Sequence, residues 1–193
     1  EILRRMREAI AALPDGVYEG ADVSDNDCFE RIDTWIRLRL TISGDEMTLD
    51  FSGSDPQMKG FKNSSLANTY SAAYLALSAF FDPGIPRNEG TYRACRIIAP
   101  EGTIVNARPP APMTMNTVYV AHEIVHAVWK ALAQADPERA LAVLAVIEDT
   151  AKEALGEMRT MVRVNGEEAV VAIRQSRPDV VLLDLFLSDS TDL

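Results

Sequence analysis

The chain has 193 residues, 47% of them hydrophobic and 25% charged, a composition that suits a globular protein and argues against disorder throughout. Lys and Arg number 19 against 29 Asp and Glu, a formal net charge of -10, and such a surface repels phosphate backbones and anionic membranes, which sets nucleic acid and membrane aside as partners. No apolar run reaches the ~20 residues of a membrane span, and the first residues lack the apolar stretch of a signal peptide. Cys28 and Cys95 form no CxxC pair, so a reduced, cytoplasmic setting is expected, with one disulfide left open. The chain begins without Met, already in a helical pattern, and reads as a fragment.

Ile2, Met6, Ile10 and Leu13 recur at helical spacing until Pro14-Asp15-Gly16 stops them. Residues 16–30, with Gly16, Gly20 and scattered Asp, read as a loop. Partial alternation from Ile32 to Ile42 predicts a strand, Ser43 to Glu46 a turn, and Met47, Leu49 and Phe51 a second strand, together a β-hairpin. Asn63-Ser64-Ser65 can cap a helix whose apolar face includes Tyr70, Tyr74, Leu77 and Phe80, ended by Asp82 to Pro86. Short strands are expected at Arg93 to Ile98 and Thr103 to Val105. Pro109-Pro110-Ala111-Pro112 suits neither regular state. A helix is predicted from about Asn116 to Ala135, and another from Pro137 to about Met161. Residues 166–174 read as a short helix and Val180 to Leu183 as one late buried strand. The fold class is therefore α+β: a β-hairpin and short strands packed with helices, then a helical C-terminal region with that late strand.

His122-Glu123-Ile124-Val125-His126 is formally an HExxH match. On a helix, residues i and i+4 share a face, so two imidazoles can hold Zn²⁺ while the Glu serves as general base. Glu148 is the candidate third ligand. Against this, Val118, Val125, Trp129 and Leu132 make an apolar stripe with His122 inside it and His126 at its border, so ordinary helix packing is the stronger reading. Asp22, Asp25, Asp27 and Glu30 invite a calcium reading but lack the spacing of an EF-hand loop. No dinucleotide, P-loop or GxSxG pattern occurs, and Ser52 and Ser54 read as turn residues beyond a strand end.

Three stretches carry a family resemblance. They are Leu13 to Gly20; Leu49-Asp50-Phe51-Ser52-Gly53-Ser54-Asp55-Pro56-Gln57 with Asn63 and Leu66; and Ile85 through Glu89-Gly90 and Ala99 to Asn106 to Pro112. In order and spacing they resemble hydantoinase B proteins, including the corresponding subunits of 5-oxoprolinase and of the acetone and acetophenone carboxylases. The resemblance covers residues 1–142. It implies an ATP-dependent hydrolase of cyclic amides such as hydantoin or 5-oxoproline, or a ketone carboxylase. It also implies a hydantoinase A-type subunit or domain that handles ATP. The family's metal and substrate motifs, rich in Asn-Asp-Pro and His, lie N-terminal to the matched stretch, so any divalent metal is expected outside this segment. The motif residues carried over here are Asp50, Phe51, Ser52, Gly53, Ser54, Asn63, Glu89 and Gly90.

Beyond about Val143 other likenesses take over. Residues 148–159 are similar to a dimerisation helix of a sensor histidine kinase. Asn165 to Ala169 with Arg177 to Leu185 are similar to a response-regulator receiver domain, in which Asp184 would stand at the phosphoacceptor position. The expected organisation is thus a hydantoinase B-like part over 1–142, a helix over 143–161 and a truncated receiver-like segment over 162–193, joined near Asp136 to Ala140 as a chimera. The expected function is a hydantoinase B-type segment that is inactive alone. A phosphoacceptor module using Asp184 and a zinc hydrolase using His122, Glu123 and His126 are the alternatives, and self-association is left open.

Overall fold

The computed structural model of the chain describes residues 1–82 and 84–162, with side chains described as far as Leu155. Two compact units are present, Glu1–Ala145 and Val146–Leu193. The elements in chain order are α1 (Ile2–Ala11), β1 (Gly16–Ser24), β2 (Thr34–Ser43), β3 (Glu46–Asp50), α2 (Leu66–Phe80), α3 (Glu89–Tyr92), β4 (Cys95–Ile98), α4 (Val120–Ala135) and α5 (Pro137–Val162). This is the expected α+β class.

The first unit is built on a four-stranded mixed sheet of order β1-β2-β3-β4. β1 and β3 both pair antiparallel with β2, and β4 joins β3 in parallel. A parallel neighbour needs a crossover connection, and residues 51–94, carrying α2 and α3, supply it. The β2–β3 hairpin turns at Gly44, whose φ of +59° is a conformation that L side chains rarely adopt.

Alternation on β2 separates the two sheet faces. Ile36, Leu38, Leu40 and Ile42 are at most 2% exposed, whereas Arg37 and Arg39 lie on the opposite, open face. Met47 and Leu49 from β3, with Cys95 and Ile97 from β4, continue the buried face. α4 packs across β1 and β2, α2 packs on α4, and α1 reaches β3. Burying each large aliphatic side chain stabilises by about 1.5–3 kcal/mol. The inward side of α2 is mostly small, with Ala72, Ala73 and Ala76 buried, so that α2 can come close to α4. Ser65 caps α2 by accepting the Asn68 N–H at 3.2 Å.

Four sequence expectations change. Residues 16–24, expected as loop, form β1 along the whole length of β2. Thr103 to Val105 is no strand; Thr103 makes two isolated bridges, to Pro56 and Asn106. α3 was not expected, and α4 starts at Val120, after a run of turns, rather than near Asn116. Pro109–Pro110 is a cis bond within the irregular proline segment. The helix expected from Pro137 to about Met161 is α5. The short helix expected at 166–174, the late strand at Val180 to Leu183 and Asp184 lie outside the described residues.

Candidate functional site

After β3 ends at Asp50, the chain runs along the end of the sheet through Phe51-Ser52-Gly53-Ser54-Asp55-Pro56-Gln57. Phe51 is fully buried, and its N–H donates to Ile98 O at 2.8 Å. Asp50 Oδ1 accepts the Ser52 N–H at 2.9 Å, which turns the chain. Ser54 Oγ accepts the Arg37 N–H at 3.0 Å and donates to Arg37 O at 3.2 Å. Asp55 Oδ2 accepts the Trp35 N–H at 2.8 Å, while the Asp55 N–H donates to Trp35 O at 2.9 Å. Gln57 repeats the device further on: its Oε1 accepts the Arg108 N–H at 2.9 Å and its Nε2 donates to Arg108 O at 3.3 Å.

Asn63 completes the series. It is fully buried; its Oδ1 accepts the Met58 N–H at 2.8 Å, and its Nδ2 donates to Met58 O, Gly60 O and Pro112 O at 2.9, 2.9 and 3.0 Å. In each case a side chain takes the place of a missing ladder partner. Buried or partly buried backbone groups in irregular segments must be paired, and these residues pair them. Glu89 and Gly90 open α3: the Gly90 N–H donates to Asn88 Oδ1 at 2.9 Å, and Glu89 pairs with Arg93 at 2.8 Å.

The open face of the sheet carries a groove of about 490 Å³ lined by Glu19, Ala21, Arg37, Arg39, Asp50 and Ser52, among others. It gathers three motif residues, Asp50, Ser52 and Gly53, beside two arginines. Arg37 is committed to Asp55 at 2.6 Å and to Gly53 O at 3.1 Å. Arg39, 64% exposed, has only a loose contact with Glu19 at 3.6 Å. The two arginines are balanced by Glu19 and Asp50, and no His, Lys or Cys lines the groove to activate Ser52.

The HExxH residues are arranged differently from either sequence reading. The buried face of α4 is Val120, Ile124, Ala127, Val128, Ala131, Leu132 and Ala135, so His122 and His126 are both exposed rather than set in an apolar stripe. His126 Nδ1 lies 2.7 Å from Asp22 Oδ2, and Lys130 Nζ reaches Asp22 Oδ1 at 3.2 Å. Burial works against the Asp22 charge, but the hydrogen bonds from His126, Lys130 and the Val23 N–H outweigh it and hold the carboxyl below its usual range. Glu148 belongs to the second unit, where it pairs with Lys152 at 2.6 Å. Among the described residues no three His, Cys, Asp or Glu side chains are grouped to hold a metal ion. The acidic loop does not converge either: Asp22 faces α4, while Asp27 Oδ1 accepts the N–H groups of Phe29 and Glu30, each at 2.8 Å.

One cluster escaped the sequence reading. Lys62 is 4% exposed, its Nζ 3.3 Å from Ser24 Oγ and 4.6 Å from the centre of the Tyr119 ring. Glu123, on α4, completes it. Burial lifts the Glu123 carboxyl above its ordinary value, with the Ser24 hydroxyl and the Lys62 charge acting the other way. Ser24 beside a lysine suggests a nucleophile and its base, but Ser24 is 1% exposed and no substrate carbonyl can reach its oxygen. The HExxH spacing marks Glu123, but nothing in the sequence joins it to Ser24 and Lys62, which come from two other segments.

The sequence profile of the hydantoinase B/oxoprolinase family matches residues 2–171. The chain belongs to the hydantoinase B/oxoprolinase family. That match continues through the expected seam and past residue 142. The chain is similar to the beta subunit of the caprolactamase of Pseudomonas jessenii, with 36% identity over 140 residues, covering 72% of this chain and 24% of the relative. It is also similar to the B-type subunit of a putative D-/L-hydantoinase of Pseudomonas sp. (strain NS671), with 32% identity over 147 residues, covering 70% of this chain and 25% of the relative. Its fold resembles the crystal structure of the ATP-dependent caprolactamase from Pseudomonas jessenii, with a TM-score of 0.65, 36% identity and coverage of 72% of this chain and 24% of that one. An acetone carboxylase structure shares the fold at a TM-score of 0.56 and 19% identity, over 69% of this chain and 20% of that one. The chain thus spans about a quarter of the length of these hydantoinase B-type relatives. No described helix is long and apolar enough to cross a membrane.

Proposed function

We propose that this hydantoinase B-family chain is a scaffolding part of a larger polypeptide in an ATP-dependent assembly that opens cyclic amides, such as a lactam, hydantoin or 5-oxoproline, and that it carries no reacting group of its own. One observation carries this reading. The side chains of Ser54, Gln57 and Asn63 each close a reciprocal pair with a backbone N–H and C=O elsewhere, and the Asp55 carboxylate accepts the Trp35 N–H while its own backbone N–H donates to Trp35 O. Groups held in this way have little capacity left for a substrate. They shape a surface for others.

ATP chemistry then belongs to a hydantoinase A-type partner, and a divalent metal to segments outside residues 1–142. Two relatives are themselves named as subunits, one of a caprolactamase and one of a hydantoinase, which supports a setting of several chains. The test is ATP-dependent ring opening of caprolactam, hydantoin and 5-oxoproline by the chain mixed with an A-type partner. The expected result is no turnover, with turnover appearing when a full-length hydantoinase B-type protein replaces the chain. Turnover by this chain with the A-type partner would overturn the reading.

A further inference from the structure

Lys62 is buried and Glu123 half-buried, and both are short of partners. The Lys62 ammonium has three donors, and the one side-chain oxygen it reaches is Ser24 Oγ, at 3.3 Å. Glu123 Oε2 is buried without a hydrogen-bond partner. Ser24 Oγ in turn donates to Asn26 O at 3.2 Å. An unmet polar atom away from water is costly, and Glu123 Oε2 is one, in a cluster whose lysine has donors to spare, so a second arrangement lies close.

We propose that Glu123 and Lys62, meeting across Ser24, form a proton-operated latch that sets how residues 59–63 rest against the end of β1 and the start of α4. With Glu123 protonated, its carboxyl donates to the Ser24 hydroxyl, while Lys62 rests on Ser24 and the Tyr119 ring. Loss of that one proton to solvent leaves a carboxylate that draws the Lys62 ammonium off Ser24 and into a direct ion pair. No bond other than O–H is made or broken. Asp22 and Ser24 from β1, Lys62 from the loop, Tyr119 just before α4 and His126 on it are the polar and charged groups around the latch. Burial and, less strongly, Asp22 favour the protonated form of Glu123, whereas the Ser24 hydroxyl, Lys62 and His126 favour the ionised one.

The latch acts on a surface. Phe61, next to Lys62, has its ring 5.1 Å from that of Phe29, and the two are 36% and 68% exposed. The Phe61 carbonyl accepts the Met115 N–H at 3.1 Å, which ties the same loop to the turns leading into α4. A shift of Lys62 therefore moves an exposed aromatic pair. Gly60 limits the path of that shift, because a Cβ there would fall 1.5 Å from the Asp27 carbonyl oxygen. The latch does not depend on the family's activity.

An NMR titration of the full chain from about pH 4 to about pH 9, a range bracketing ordinary Glu and His values, tests the latch. It follows the backbone amides of residues 59–63 and the side-chain carboxyl carbon of Glu123. The amides of Phe61 and Lys62 are expected to move with that carbon at one shared midpoint above the ordinary Glu value of about 4.3. Glu123→Gln removes the step, Lys62→Met moves the Glu123 midpoint upward, and His126→Gln keeps the step. Amides that stay flat through the Glu123 titration, or that show the same step in Glu123→Gln, overturn the proposal. The wild-type titration decides even where a variant fails to fold.

Discussion

Gly20 on β1 and Ala127 on α4 touch backbone to backbone: a Cβ at Gly20 would lie 1.9 Å from the Ala127 carbonyl oxygen. Helix and strand meet closely because the strand presents no side chain there. Gly20→Ala is expected to push α4 off the sheet and destabilise by about 1–3 kcal/mol, the usual cost of overfilling a packed site. Equilibrium urea unfolding measures it, and a variant with unchanged midpoint would show that α4 can slide without cost.

The same contact explains why β1 was illegible in the sequence. Its inward positions are Tyr18, Gly20, Asp22 and Ser24, facing α4 without the hydrophobic alternation that marks a half-buried strand. β2 was legible because its inward positions are Ile36, Leu38, Leu40 and Ile42. The helices α1, α2, α4 and α5 followed from spacing and caps, although the face of α4 was misread because exposed Val118 drew the stripe round to His122. The motif residues were visible as a family likeness, but their hydrogen-bonding role was not, since Ser54 and Arg37 are 17 positions apart and Gln57 and Arg108 are 51 apart. Thr103 to Val105 looks like a strand in sequence, yet Ile104 and Val105 are buried as loop residues.

Two carboxyls give opposite pH limbs. Asp22 titrates lower in the folded chain, held down by His126 and Lys130 against the effect of burial. Its contribution is present above its unfolded value of about 3.9 and is lost as pH falls through the lower folded value. Glu123 titrates higher when folded because of burial. Its contribution is full below about pH 4.3 and is lost as pH rises through the raised folded value. Urea midpoints measured across pH are expected to show a flatter acid limb in Asp22→Asn. Glu123→Gln should gain over wild type at neutral pH, with that gain gone at about pH 3, below both Glu123 values.

The two thiols differ in reach. Cys28 is exposed, with φ at 80°, whereas Cys95 lies on the buried face of β4 and burial pushes its thiol up to about 12. Reaction requires the thiolate. A disulfide-exchange reagent at neutral pH should therefore modify one thiol per native chain quickly and the second only after denaturation. Two fast thiols would mean that the β3–β4 edge opens in solution.

The most direct test of the scaffold reading is the stability of Asn63→Ala, by urea unfolding beside wild type. Asn63 pairs with both the N–H and the C=O of Met58 and also holds the carbonyls of Gly60 and Pro112. Removing it leaves several buried backbone groups unmet, at about 1–3 kcal/mol for each unsatisfied group. The expected result is a loss of at least about 2 kcal/mol, drawn from that range. Unchanged stability would contradict the account, because it would mean that the Asn63 amide is free to serve something other than the fold.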